Sequence, residues 1–200
     1  MAKTKRKKGV VREYAEIIVL AVGLALFVRT FFIQAFRIPS ESMEDTLLVG
    51  DFLFANKLLY GPKLPFVDVH LPAIRQPKQG DIIIFKYPND PKVDYIKRCV
   101  AVEGQTVELI DNQLFVDGVL QREPFTKYVF GSRPDRHFGP FKVPPGHLFM
   151  MGDNRDNSAD SRAWGPLDKK LIAGKAMFIY FSWNPQAHSI RFSRIGDLIR

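Results

Sequence analysis

Two neighbouring runs, GDIIIFKYP (residues 80–88) and DYIKRCVAV (residues 94–102), decide the fold class of this 200-residue chain. Both are short and rich in Ile, Val, Phe and Tyr, which is typical of β-strands. No long helical periodicity separates the strand-like runs after Pro39, so we predict a mainly β domain. The other runs are DFLFANKLL (51–59), TVELI (106–110), QLFVDG (113–118), HLFMMGD (147–153) and KAMFIYFSW (175–183).

The segment from residue 104 to about 145 differs from the surrounding chain because it is richer in Pro, Gly and charged residues. It contains TVELIDNQLFVDGVLQ, which is typical of a β-meander with turns at Asp111-Asn112 and Asp117-Gly118. We interpret this segment as a small β insertion between two parts of one core, not as a separate domain.

The positive charge of the chain is concentrated at its beginning. The formal net charge is +8, and six basic residues among the first twelve contribute +6, which leaves +2 for the rest. A nucleic-acid partner needs a basic face on the folded domain, and no binding motif is recognisable. We therefore predict a basic tail over residues 1–13 and no nucleic-acid partner.

The apolar segment YAEIIVLAVGLALFVRTFFIQAF (residues 14–36) follows this tail. A transmembrane helix needs roughly 20 residues, which this segment supplies. A cleavable signal peptide, an uncleaved anchor and a buried core helix all fit such a segment. The aromatic cluster at its end, and the lack of well-placed small residues after the apolar run, favour the anchor. By the positive-inside rule the tail is then cytoplasmic, and residues 37–200 lie outside.

The stretch FRIPSESMEDTLLVGD (residues 36–51) places Ser40 and Ser42 just after the apolar segment. Ser42 and Asp45 fit a capping box, in which an acidic residue follows a serine by three positions. On spacing alone a cap or a turn is favoured over a nucleophile. A nucleophilic serine needs a base, but none of the four histidines has a telling context and no G-x-S-x-G elbow is present.

A lysine can also serve as the base if its amine is neutral, and burial lowers a lysine pKa by up to several units from about 10.4. The run DYIKRCVAV contains Lys97 and Arg98, of which only the lysine can lose its proton. Alternation places these two on opposite faces of the strand. Cys99 and Ala101 then share the face of Lys97. The alternative, favoured without further information, is that Lys97 is the solvated position of an edge strand.

The densest polar stretch is MGDNRDNSADSRAWG (residues 151–165). A calcium loop starting at Asp156 fails, because Ser161 stands where glycine is required and Leu167 where glutamate is required. Zinc ligands are missing as well, so we predict no metal site. An ordinary solvated loop is less dense in Asp, Asn, Arg and Ser, and we predict a buried hydrogen-bonded network.

Together, PSESM with TLLVGD, GDIIIFKYP, DYIKR, and GDNRDNSADSR with WG resemble the successive boxes of the bacterial type I signal peptidases. These leader peptidases are the membrane-bound Ser-Lys endopeptidases of the S26 family. The order, the spacing and the preceding anchor match over nearly the whole chain. The resemblance implies a single transmembrane helix, an antiparallel β-sheet catalytic domain with a small β insertion, and no cofactor. Glu41 and Asp45 depart from it, since glycine and proline are common there.

The resemblance also implies roles. Ser42 matches the nucleophile and Lys97 the general base, while the Ser40 hydroxyl joins the Ser42 backbone N–H in the oxyanion hole. Ser158 matches the hydroxyl that orients the lysine. The residues that match the supporting network are Asp153, Arg155, Asp160 and Arg162.

Shallow apolar pockets in this family admit only small side chains at the first and third positions before the cleaved bond, which gives the Ala-x-Ala rule. The residues that match their lining are Phe36, Ile38, Met43, Leu47, Leu53, Ile84, Tyr95 and Ile96. The expected partners are the signal peptides of exported preproteins, and membrane lipid. The expected location is the cytoplasmic membrane, with the catalytic domain on its outer side. The oligomeric state is not predicted.

Two other functions stay open on the sequence. One is a related Ser-Lys protease with another task, either a self-cleaving repressor, which the anchor disfavours, or a maturation peptidase for conjugation pilins. The other is a catalytically silent, membrane-anchored β domain that binds partners.

Overall fold

The computed structural model describes residues 9–61, 71–128 and 137–200. Most of the predicted basic tail and part of the predicted insertion lie outside the described residues. The helices and strands are α1 (Val10–Phe31), β1 (Ile33–Arg37), β2 (Asp51–Asn56), β3 (Ile82–Tyr87), β4 (Asp90–Val102), β5 (Thr106–Ile110), β6 (Gln113–Val116), β7 (Val119–Leu120), β8 (Phe138–Lys142), β9 (His147–Met151), α2 (Ser161–Trp164), β10 (Leu167–Asp168), β11 (Ile172–Asn184) and β12 (Ser189–Ile190). Short 3₁₀-helices cover Leu58–Tyr60, Lys169–Leu171 and Phe192–Arg194.

The strands form two antiparallel sheets. The larger has eight strands in the order β1-β2-β11-β3-β4-β9-β10, with β12 paired to β11, and the smaller has four in the order β7-β6-β5-β8. All seven strand-like runs of the sequence contain a strand, so the mainly β, antiparallel prediction with one N-terminal apolar helix is confirmed.

Helix α1 is 22 residues long, has a mean hydropathy of 1.9 over its most apolar window, and buries none of its residues. The buried core helix is therefore the wrong interpretation. The apolar segment was predicted to extend to residue 36, but the helix ends at Phe31. Residues 33–37 pair with β2 instead, because sheet hydrogen bonds overrode the apolar continuity of the sequence. Arg29 thus lies in the last helical turn.

The segment interpreted as an insertion contains the whole smaller sheet. Its predicted turns are confirmed by positive φ angles, of 47° and 68° at Asp111 and Asn112 and of 53° and 76° at Asp117 and Gly118. Asn, Asp and Gly tolerate this left-handed conformation, which two-residue hairpin turns require.

Three apolar clusters hold the sheets together. The first lies on one face of the large sheet beneath the turn that carries Ser42, the second joins the smaller sheet to β4 and β9, and the third lies on the opposite face of β3 and β4. Their respective buried members include Met43, Leu53 and Ile84; Val107, Leu114 and Phe149; and Phe85, Cys99 and Met150.

The predicted alternation along β4 holds only as far as Cys99. A register shift against β9 lies between Cys99 and Ala101. Ala101 consequently packs in the second cluster with Val100, while Cys99 packs in the third. The prediction that Ala101 shares the face of Lys97 is therefore wrong, since a bulge moves a side chain to the other face.

Candidate active site

Ser42 lies in the turn between β1 and β2. Its neighbours form successive backbone turns, with the N–H of Glu44 donating to the Glu41 carbonyl and that of Leu47 to the Met43 carbonyl. Asp45 has a φ of 80°, which a right-handed helix does not allow. No helix begins at Ser42, so the capping-box interpretation of this stretch is wrong.

The Ser42 hydroxyl is directed at Lys97, which lies 55 positions further along the chain. The Lys97 Nζ donates a hydrogen bond to Ser42 Oγ at 2.6 Å, and the two residues are only 4% and 8% exposed, respectively. Strand β4 pairs with both β3 and β9, so Lys97 does not occupy the solvated edge strand that the sequence favoured.

Burial determines the proton affinity of Lys97. Removal from water lowers the pKa of its ammonium from the ordinary value of 10.5 to about 8, against the smaller opposing effects of the Asp160 and Asp153 carboxylates. The Tyr95 ring lies 5.3 Å from Nζ and helps to exclude water. A neutral amine in hydrogen-bond contact with a serine hydroxyl can accept its proton, so Ser42 and Lys97 are a candidate nucleophile and base.

Asp153 connects the Ser42 turn to β4. Its carboxylate accepts two hydrogen bonds from the Arg98 guanidinium, each of 2.8 Å, and one from the Thr46 hydroxyl. Asp153 is fully buried and Arg98 is 3% exposed, so removing either partner leaves an uncompensated buried charge. This ion pair therefore fixes the turn that carries Ser42 against the strand that carries Lys97.

Gly152 and Asn154 hold the backbone of Ser42 directly. The Asn154 N–H donates to the Ser42 carbonyl at 3.1 Å. A Cβ on Gly152 would collide with that same carbonyl oxygen and with the Ser158 hydroxyl. Only glycine allows β9 to end this close to the Ser42 turn.

Asp160 and Arg162 form the second ion pair of the polar loop. The Arg162 guanidinium donates to both Asp160 carboxylate oxygens at 2.8 Å, and the Gly152 N–H donates to one of them at 3.1 Å. Arg162 also donates to the Arg155 carbonyl at 2.6 Å. Asp160 caps α2 by accepting from the Arg162 N–H.

Arg155 ties the loop to the segment between β7 and β8 of the smaller sheet. Its guanidinium pairs with Glu123 and also donates to the Gly152 carbonyl at 3.2 Å. The four charged residues predicted for a buried network are thus all in ion pairs, with Asp153 and Arg155 paired to partners outside the loop.

The remaining two predicted serines make weaker contacts. The Oγ atoms of Ser40 and Ser42 lie 3.4 Å apart. The Ser158 hydroxyl is buried and has no hydrogen-bond partner among the described residues, because it packs against Gly152 while Lys97 directs its own bond to Ser42. The structure does not contain the hydrogen bond between Ser158 and Lys97 that the resemblance implies.

The family described as signal peptidase, peptidase S26, matches residues 11–183. The chain belongs to this family. The signal peptidase I of Pseudomonas fluorescens is 36% identical over 95% of this chain and 80% of its own length, and that of Bacillus licheniformis is 34% identical over 91% and 95%, respectively. A crystal structure of a signal peptidase I from Enterococcus faecalis V583 matches 52% of this chain and 98% of its own, with 28% identity and a TM-score of 0.46.

Membership of family S26 makes the chain a serine peptidase. The peptidase has a cleft of about 550 Å³ beside Ser42 and Lys97. The cleft is lined by Pro39, Ser40, Glu41, Ser42, Val49, Val93, Asp94, Tyr95, Ile96, Lys97, Asn157 and Ala159. The segment that follows β1 and the middle of β4 thus form two sides of the cleft.

Among the residues predicted to line substrate pockets, Tyr95 and Ile96 line this cleft in the described part of the peptidase. The other six belong to the first apolar cluster behind it, where five are buried and Phe36 is partly buried: Phe36, Ile38, Met43, Leu47, Leu53 and Ile84. They pack in this cluster and are not among the residues that line the cleft.

Sequence reasoning missed several residues that hold this site. The sequence contained a sign of the role of Arg98, since an arginine within an apolar strand cannot be deprotonated and needs a buried anion as its partner. Its partner Asp153 was recognisable only as part of a polar loop. Gly152, Thr46 and Glu123 gave no signal, because their roles depend on contacts between distant segments.

Within residues 9–61, 71–128 and 137–200, no group of three or more His, Cys, Asp or Glu side chains is arranged to hold a metal ion. Cys99 is buried as a free thiol.

Proposed function

We propose that this peptidase removes N-terminal signal peptides from exported preproteins by a Ser-Lys mechanism. The observation that carries the proposal is the 2.6 Å contact between Lys97 Nζ and Ser42 Oγ within a buried site that opens into a cleft. The names of the relatives, signal peptidase I in Pseudomonas and Bacillus, support the substrate class.

In the acylation step, neutral Lys97 accepts the hydroxyl proton while Ser42 Oγ attacks the carbonyl carbon of the scissile peptide bond. The carbon–nitrogen bond then breaks, and the departing amine of the mature protein takes the proton from the Lys97 ammonium. The signal peptide remains as an ester of Ser42. Lys97 next takes a proton from a water molecule that attacks this ester. The Lys97 ammonium then gives that proton to the departing Ser42 Oγ, which releases the signal peptide and restores both the serine and the neutral lysine.

The transition state of each step places negative charge on the carbonyl oxygen. The Ser42 backbone N–H and the Ser40 hydroxyl are the proposed donors for this oxyanion, and the position of the Ser40 hydroxyl beside Ser42 Oγ, at 3.4 Å, supports that assignment. Ser158 is proposed to orient Lys97 once substrate fills the cleft, since its buried hydroxyl has no other partner among the described residues.

The chain organisation proposed for this activity is a cytoplasmic tail, a single-pass anchor and a catalytic domain outside the cytoplasmic membrane. Helix α1 is long and apolar enough to cross a bilayer, and Ser42 follows its end by eleven positions, from Phe31. A substrate whose signal peptide is still in the membrane then presents its cleavage site near the nucleophile. The smaller sheet is the proposed insertion into this domain.

The test is cleavage of a preprotein panel by the purified chain in detergent, with the new N-terminus identified by mass spectrometry. Cleavage of several unrelated preproteins after the second alanine of an Ala-x-Ala site supports the proposal. Cleavage of a single preprotein indicates a specialised maturation peptidase instead. Absence of cleavage contradicts the proposed substrate class.

We expect cleavage to proceed at its full rate in EDTA, because each step of the Ser-Lys mechanism uses only protein groups and water. Rates with and without chelator should agree within experimental error. Complete loss of activity that added divalent cations restore contradicts the mechanism.

A further inference from the structure

The cleft beside Ser42 carries an unusual balance of charge. Its charged lining residues are Glu41, Asp94 and Lys97. Lys97 must be neutral to act as the base. In the working peptidase the lining therefore presents two carboxylates and no cation.

The two carboxylates differ in whether a neighbouring cation neutralises their charge. Asp94 pairs with Lys86 at 2.9 Å across strands β3 and β4, which neutralises much of its charge. Glu41 is exposed, and its side chain accepts a hydrogen bond from the neutral amide of Asn157 at 3.3 Å. No salt bridge within the described residues involves Glu41, and the nearby Lys127 ammonium pairs with Glu44 at 3.0 Å.

We propose that Glu41 is a specificity-determining residue that favours preproteins with a cationic side chain beside the cleaved bond. Glu41 and its hydrogen-bond partner Asn157 both line the cleft beside Ser42, so the Glu41 carboxylate lies next to a substrate bound there. This inference rests on the proposed function and names a preference within its substrate class. Where small side chains are required at the first and third positions before the bond, the charge must come from the position between them or from the first residue of the mature protein.

The effect is modest because Glu41 is exposed. Exposed ion pairs change an equilibrium by about two- to fivefold. We therefore expect a lysine substrate to have a kcat/KM about two- to fivefold above that of its glutamine counterpart, and a glutamate substrate to fall below it by a similar factor. Screening by salt should compress these ratios, since the Debye length falls from about 14 Å at 0.05 M to about 4 Å at 0.5 M.

The test uses two series of one Ala-x-Ala preprotein, with Lys, Gln or Glu either between the alanines or directly after the cleaved bond. Each series is cut by the wild-type chain, by Glu41→Gln and by Glu44→Gln. We expect a Lys-over-Glu preference in at least one series with the wild type and with Glu44→Gln, and its loss with Glu41→Gln. Glu44→Gln is the matched control, because it removes a neighbouring carboxylate that does not line the cleft.

The glutamine substrates separate failure of this inference from failure of the proposed function. If they are cut after the second alanine but neither series shows a charge preference, or if the preference persists in Glu41→Gln, the inference is overturned and the proposed function stands. If no substrate is cut by the wild type, both are overturned. Should Glu41→Gln fail to fold, a wild-type preference that does not shrink between low and high salt overturns the inference.

Discussion

Ser42→Ala abolishes cleavage, with an expected loss of kcat/KM of about 10⁴-fold or more, as for other enzymes that lose a covalent nucleophile. The variant loses only one oxygen, which accepts a hydrogen bond from Lys97 Nζ, so the fold and the cleft remain. Preprotein cleavage by the purified variant, with circular dichroism as the check on folding, measures this. A folded Ser42→Ala chain that cuts at the wild-type rate would place the nucleophile elsewhere.

Lys97→Met gives a comparable loss of kcat/KM, and it raises the stability of the folded chain. Its amine has a pKa of about 8 in the folded chain against 10.5 ordinarily, so folding disfavours the ammonium. This penalty is present in full below pH 8 and disappears as the pH rises towards 10.5. Methionine fills similar space without charge, and we expect an unfolding free energy up to about 3 kcal/mol higher at pH 7.

The matched control for Lys97→Met is Lys92→Met, which makes the same chemical change at an exposed position of β4. It should leave both cleavage and stability close to those of the wild type. Lys97→Met with wild-type activity would show that another group removes the serine proton. Equal stability effects at positions 92 and 97 would contradict the burial of the amine.

Gly152→Ala is the third variant with a large expected effect. The added methyl group collides with the Ser42 carbonyl and the Ser158 hydroxyl, so the nucleophile turn has to move away from β9. Because a shift of about 1 Å in a reacting group can lower a rate about 10²-fold, we expect a loss of that order in kcat. Overpacking of this kind also lowers stability by about 1–3 kcal/mol.

Gly174→Ala separates these two effects. Its methyl group crowds the Asn56 carbonyl between β11 and β2, where neither Ser42 nor Lys97 is involved. Both variants should show a reduced midpoint of thermal unfolding, and only Gly152→Ala should show the large fall in kcat below that midpoint. Equal fractional activities for the two folded variants would mean that Gly152 contributes only to stability.

The sequence predicts the local features of this fold well. The strand-like runs, the turns at Asp111-Asn112 and Asp117-Gly118, and the apolar helix depend on neighbouring residues, and each is present. The boundaries that fail are those set by distant partners. Helix α1 ends at Phe31 because residues 33–37 find a partner in β2, and the alternation of β4 breaks where it meets β9.

The candidate site shows the same division. Spacing alone favoured a capping box at Ser42 and a solvated edge position at Lys97, because the two residues are far apart in sequence and nothing local indicates that they meet. The family resemblance supplied the pairing that local reasoning lacked. The resemblance did not supply the ion pair between Arg98 and Asp153, the close approach at Gly152 or the burial of Met43 and Leu53. Only three-dimensional packing determines these features.

The pH dependence of kcat/KM tests most directly whether Ser42 is activated by a neutral lysine. For the free enzyme this quantity follows the protonation of its essential base. Because burial lowers the pKa of Lys97 to about 8, we expect kcat/KM to rise about tenfold per pH unit below that value and to level off above it. A kcat/KM that is unchanged between pH 6 and pH 9, from about two units below this pKa to about one unit above it, would contradict Lys97 as the base.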